Sequence, residues 1–273
     1  MSVAVEPAPL LPLADAYRAF CEEHPSLALL TNHAPPVVAA LFVSLFAVAA
    51  FNGVRIAAAT VLGTARFNYG LRHESCIPPA RLARHAQAFG LDGRLTYLPQ
   101  SGLTALCYGF VRPRVAISAG LLASLDDEQL MAVLAHEREH LRRRDPTLYL
   151  VLRVLAAAAY MFPLAAALRR RLEAGIELNA DRAAIAAVGR EALASALLAT
   201  LVAPRSSPMG TVGLSATEAR IAYLTGAPAL PTIPAATIAA SAGLGALIAL
   251  AAVYMAATVD VMRMVCEFCA GLR

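Results

Sequence analysis

The stretch His136-Glu137-Arg138-Glu139-His140 decides how this chain reads. Around it, Leu130, Met131, Val133, Leu134, Ala135 and Leu141 place apolar residues at helical spacing. On a helix, positions i and i+4 share one face a turn apart, so the two imidazoles can take adjacent corners of a zinc tetrahedron with Glu137 beside them as a base. The pattern points to a zinc peptidase; the plainer alternative is a charged helix face that happens to carry two histidines. Ser124 with Asp127 predicts a capping-box-like start, and Asp126, Asp127 and Glu128 an acidic first turn. Arg142, Arg143 and Arg144 suit the negative end of the helix dipole, and Asp145-Pro146 ends the helix.

Two histidines do not complete a catalytic zinc site, which normally takes a third protein ligand and leaves the fourth position to water. Glu177 in Glu177-Leu178-Asn179-Ala180-Asp181 is the expected third ligand, since it lies in another helical stretch. Asp181, one turn later on the same face, is placed to accept a hydrogen bond from a ligand imidazole. The alternatives are an ordinary pair of exposed acids, or an Asp181 paired with Arg182 or another arginine and outside the zinc site.

H-E-x-x-H followed some forty residues later by E-x-x-x-D resembles the gluzincin-type membrane peptidases: HtpX-like proteases, CAAX prenyl endopeptidases and BlaR/MecR-type antirepressor peptidases. Upstream, residues 108–118 from Tyr108 to Ser118 resemble a strand region of the BlaR/MecR group, and residues 141–146 after the motif match as well. The resemblance covers roughly residues 91–187. It implies one zinc ion per chain on His136, His140 and Glu177, Glu137 as general base and Asp181 behind a ligand. Ala180-Asp181 stands where BlaR/MecR-type proteins often have Cys-Asp, and is closer to the HtpX-like form.

With 59% hydrophobic and 15% charged residues, and a mean hydropathy of +0.60, the composition is that of a membrane protein. Two transmembrane helices are expected, at 36–62, where Arg55 is the one charge, and at 234–259, which carries none. The fold class expected is mainly α with a small β-sheet, a peptidase domain at 63–233 between the two spans. An N-terminal arm covers 1–35, and a tail covers 260–273. A third apolar stretch, 147–168, lies between His140 and Glu177. If it crossed the bilayer once, the proposed ligands would be on opposite sides of the membrane. Arg153 and Pro163 favour a helix packed in or against the domain, at most dipping into the bilayer without a full crossing, that breaks near Phe162-Pro163.

Residues 78–90 read as a short helix, and 94–97, 106–110 and 115–118 as strands of a small sheet whose edge could hold an extended substrate or merely cover the motif helix. The proline-punctuated arm is given no activity, its His24 and His33 are not expected to bind metal, and 204–213 reads as a loop that gates access or connects. Cys266 and Cys269 form one C-x-x-C, which cannot alone close a structural zinc site, and Cys76 and Cys107 suit core packing.

All 23 basic residues are arginine, so the sequence supplies no S-x-x-K nucleophile of a penicillin-binding sensor, and a signalling role would involve a separate sensor or regulator protein. The formal charge of +4 suits anionic lipid headgroups, and no nucleic-acid module is present. The expected partners are therefore a protein or peptide substrate and the lipid bilayer. Arginines near the first span, together with the family resemblance, imply an integral protein of a bacterial cell membrane with its catalytic domain in the cytoplasm. The expected function is zinc-dependent cleavage of a regulatory protein such as a repressor. HtpX-like quality control of membrane proteins is the alternative, and an inactive receptor or scaffold is the alternative of another class.

Overall fold

Asp126, not Ser124, starts the motif helix. In the computed structural model, which describes residues 25–202 and 214–270 and the side chains within 36–71, 75–200 and 216–258, Asp126 Oδ1 accepts from Gln129 N (2.8 Å) and Gln129 Oε1 accepts from Asp126 N (3.1 Å). This is a complete capping box two residues later than the Ser124-Asp127 reading. Ser124 instead donates to Leu121 O and closes the preceding short helix.

The elements run α1 (Pro25–Glu74), α2 (Ala80–Ala88), β1 (Leu95–Leu98), β2 (Ala105–Tyr108), β3 (Arg114–Ser118), α3 (Ala119–Ser124), α4 (Asp127–Arg143), α5 (Asp145–Ala158), α6 (Pro163–Val188), α7 (Arg190–Val202), α8 (Leu214–Thr225) and α9 (Ala235–Ala270). Among the described residues the fold is mainly helical with one three-stranded sheet, flanked by two helices long and apolar enough to cross a membrane. These candidate spans are Pro36–Leu71 of α1 and Ala235–Thr258 of α9, and only 6% of each one's most apolar window is buried in protein, which leaves its apolar surface for lipid. Residues 49–241 form one compact unit; the lengths of chain before 49 and after 241 group as another. Of the arm expected at 1–35, residues 1–24 lie outside the described residues, as does the whole of the 204–213 loop; the side chains of His33, Cys266 and Cys269 also lie outside them.

The sheet has the order β1-β3-β2, with β3 parallel to β1 and antiparallel to β2. Its period of two sends Val115 and Ile117 to one face, where they pack with Leu82, Leu121, Leu130 and Leu134. Ala116 faces the other way, onto Leu71, Leu98 and Tyr108. The edge strand β2 runs beside the motif helix α4. The loop before β2 is pinned from the β3–α3 junction: Ser118 Oγ, the cap of α3, accepts from Thr104 N (2.9 Å) and Leu121 N (3.3 Å). A methyl group at Gly120 would fall 2.0 Å from Ser101 O, so only glycine lets the loop lie this close.

Helix α4 closes at Arg144, whose left-handed φ of 57° turns the chain straight into α5, with Pro146 in the first turn, where its missing N–H costs no helical bond. The apolar stretch 147–168 is not one helix: the chain breaks at 159–162, and α6 starts at Pro163 and packs back along α5. On α6, Ala174, Ile176, Glu177, Leu178, Ala180, Asp181 and Ala184 are buried. Ala184 meets Ala132 and Ala135 of α4, and such small side chains let the two helix axes approach closely, which carries Glu177 to the motif.

Candidate metal centre

His136 and His140 stand one turn apart on the buried face of α4, with ring centroids 4.7 Å apart and planes at 84°. Their Nε2 atoms approach to 3.0 Å. Glu177 lies opposite, with Oε2 3.5 Å from His136 Nε2 and Oε1 3.7 Å from His140 Nε2. The three side chains are buried and their ligand atoms all fall within 4.8 Å of one another. A tetrahedron with metal–ligand bonds of about 2.0–2.1 Å has edges of about 3.3 Å. The observed separations bracket that length, so the group can hold one metal ion.

The far sides of the imidazoles explain why their Nε2 atoms are available. His140 Nδ1 is 2.8 Å from Asp145 Oδ2. His136 Nδ1 is 2.9 Å from Asp181 Oδ1, an ion-pair contact whose alignment falls short of a full hydrogen bond. A carboxylate accepts only, so it fixes the proton on Nδ1 and turns the Nε2 lone pair inward. The two Nε2 atoms and the Glu177 carboxylate converge on one point that favours a cation, a metal ion or, without one, the proton of a charged His136.

Three participants were not foreseen in these roles. Asp145, expected only to end the helix, is buried behind His140. Arg220 reaches in from α8, its Nε 2.9 Å from Asp181 Oδ2 and its Nη2 2.7 Å from Asp181 Oδ1, while Nη1 lies 3.7 Å from Glu177 Oε2. Tyr149 of α5 donates its hydroxyl to Glu177 Oε1 at 2.6 Å. Asp181 thus serves an imidazole and an arginine together, and the arginine is not Arg182, which lies over the Tyr223 ring. Asp145 had a local signal, five residues after His140; Arg220, 39 residues beyond Asp181, had none.

Burial alone would raise the pKa values of Glu177 and Asp181, but His136, with His140 and Arg220 for Glu177 and with Arg220 for Asp181, brings both down, Glu177 well below the usual carboxylate range. Burial and Arg220 work against a charged His136, yet the Asp181 and Glu177 carboxylates prevail and raise it to about 9. Burial pushes the Tyr149 hydroxyl far up, with the Glu177 charge adding to it, so it remains a donor. Burial, then the Glu137 and Asp145 charges, likewise keep the Cys107 thiol protonated. Glu137, next to His136, is buried, and its Oε2 has no hydrogen-bond partner within the protein.

Every side chain named in this centre lies in one continuous segment. Residues 100–224 match the family model described as BlaR1 peptidase M56. A curated relative, the Protease HtpX homolog of Aeropyrum pernix, is 35% identical over 94 residues, which cover 32% of this chain and 28% of that protein. The chain therefore spans less than a third of the length of the curated relative it matches. Its likeness is to BlaR/HtpX-type membrane metallopeptidases, and the M56 segment includes the edge strand β2, the motif helix, the α5–α6 pair and Arg220.

Proposed function

We propose that this chain is a membrane-anchored zinc endopeptidase in which His136, His140 and Glu177 hold the metal and Glu137 is the general base. The observation that carries the reading is the convergence of three buried ligand atoms within 4.8 Å, two of them from H-E-x-x-H, inside a segment that matches a peptidase family. Two imidazole nitrogens and a carboxylate, all buried, suit zinc among common divalent ions. When bound, zinc supplies a Lewis acid that polarises a carbonyl and acidifies water. Asp181 and Asp145 hold the imidazoles in the Nδ1–H tautomer, and Arg220 keeps Asp181 from turning away. Glu137 takes a proton from the attacking water as its oxygen joins the scissile carbonyl carbon, then delivers it to the amine nitrogen as the C–N bond breaks.

The substrate we assign is a regulatory protein such as a repressor at the cytoplasmic face of a bacterial cell membrane, with the stimulus sensed by a separate protein. The M56 match, whose family description names BlaR1, favours this choice. Quality control of membrane proteins is the second reading, favoured by the HtpX-type relative. New protein N-termini compared between cells carrying wild type and Glu137→Gln separate the two. The variant is expected to retain metal and lose on the order of 10²–10⁴ in rate. Cuts confined to a soluble regulator support signalling, whereas cuts spread over membrane proteins support quality control. A variant that cleaves as well as wild type would remove Glu137 as the base. No metal-dependent cleavage by either protein would leave an inactive scaffold as the better account.

A further inference from the structure

The turn between α5 and α6 is tied to both candidate membrane spans. On one side, Gly53 of the span Pro36–Leu71 is buried against α5: a methyl group built on it would lie 3.6 Å from Ala158 Cβ and 3.8 Å from Val154 Cγ1. On the other, Leu164 N at the start of α6 donates to Ser241 Oγ of the span Ala235–Thr258 at 3.0 Å, and this serine is buried. The end of the hairpin therefore lies level with residues inside both apolar helices.

Its surface has the composition that such a level requires. Residues 154–168, running through the turn, carry no charge. Leu155, Tyr160 and Leu168 are 60%, 49% and 41% exposed, an apolar surface that water would penalise. The uncharged cap is bounded on both helices at similar height by exposed arginines, Arg153 on α5 and Arg170 on α6. At 1.5 Å per residue these stand roughly 8–11 Å from the turn. That matches the depth of about 5–10 Å to which interfacial helices bury an apolar face beneath basic residues at the headgroups. A complete crossing would need about 20 apolar residues in one helix, which neither arm has.

We propose that the tip of the α5–α6 hairpin, residues 154–168, inserts into one leaflet of the bilayer beside the two spans, with Arg153 and Arg170 at the phosphate level. The partner is the lipid itself, acyl chains at the tip and anionic headgroups at the arginines. Tyr149 and Glu177, nearer the opposite ends of the two helices, then stand outside the hydrocarbon, and the candidate metal centre keeps a set height above the membrane.

The chain contains no tryptophan, so single reporters are read without background. Leu155→Trp, Leu168→Trp, Glu128→Trp as an exposed control on α4 and Phe46→Trp as a control within the span are each reconstituted in phosphatidylcholine–phosphatidylglycerol vesicles with or without acyl-chain-brominated lipid. All four positions are exposed in the protein, so the packed interior is undisturbed, and preparations are compared only where Phe46→Trp is quenched. Emission from positions 155 and 168 is expected to fall at least about twofold with brominated acyl chains, as for an apolar face buried in the leaflet, while position 128 is unchanged. Quenching of 155 and 168 by aqueous iodide as strong as at 128, with no effect of brominated lipid, would overturn the proposal. Protection from both quenchers would overturn it too, because a protein surface would then cover the tip.

Discussion

The two imidazoles of the candidate centre are held in different ways. His140 rests on Asp145, five residues along and delivered by the left-handed turn at Arg144, so its support is local to the α4–α5 junction. His136 rests on Asp181 of α6, which Arg220 of α8 holds in turn, so its support needs three helices in place. One half of the centre therefore forms wherever the turn forms, and the other only once the helices have docked. The His136 side should be the half in which changes also unsettle the fold.

The largest effect is expected from Arg220→Ala, which strands the fully buried Asp181 carboxylate. Breaking a buried pair by removing one partner costs about 3–5 kcal/mol, so the denaturant midpoint of the purified protein should fall clearly. An unchanged midpoint would mean that Arg220 is dispensable and that the two halves do not differ. The direct comparison comes next. Asp181→Asn and Asp145→Asn should each lower metal affinity by roughly 10–100-fold, the usual cost of losing a carboxylate behind a ligand histidine. Only Asp181→Asn should also lower stability, because it removes the closer of the two carboxylates that face the buried Arg220 and leaves only Glu177, at 3.7 Å. Chelator competition read beside denaturation tests this, and equal stability losses in the two variants would break the distinction.

Tyr149→Phe bears on Glu177, the candidate ligand that both halves share. Losing the hydroxyl bond to Glu177 should cost about 1.5–3 kcal/mol or less, as for a hydrogen bond to a charged group, and appear as weaker metal binding with the fold intact. The smallest effect belongs to a site outside both halves. Asp127 at the start of α4 has its pKa lowered chiefly by the hydrogen bond from Arg81, with His85 also facing it. A carboxyl with a depressed folded-state pKa adds stability that is complete above its unfolded value of about 4 and is lost as pH falls through the folded one. Asp127→Asn should therefore flatten the loss of stability below about pH 4 slightly, and leave metal affinity at pH 7 unchanged. A drop in affinity would mean that the helix start is coupled to the centre.

The same division of local from remote separates what could be read along the chain from what could not. The helical placement of His136, Glu137 and His140 follows from a repeat of 3.6 residues, and the sheet from short alternating runs, because both patterns are properties of neighbouring residues. The capping register slipped by two residues because Ser124 and Asp126 are both good caps, and only the competition of Ser124 for Leu121 O decided between them. The break in 147–168 was legible once the chemistry of two ligands on one metal was imposed on a hydropathy pattern that by itself suggests a span.

By itself, then, the sequence determined the apolar spans, the motif helix with its inward histidines, and the candidacy of Glu177, since each rests on spacing within one element or on composition. Only the tertiary structure decided that Asp181 faces His136 and Arg220 together, that Tyr149 reaches Glu177, and that the α5–α6 turn lies level with Gly53 and Ser241. Those relations join residues 28–105 positions apart. They are set by how closely alanine-lined helices pack and where a turn directs them, quantities that depend on all the contacting surfaces at once and that no local spacing encodes.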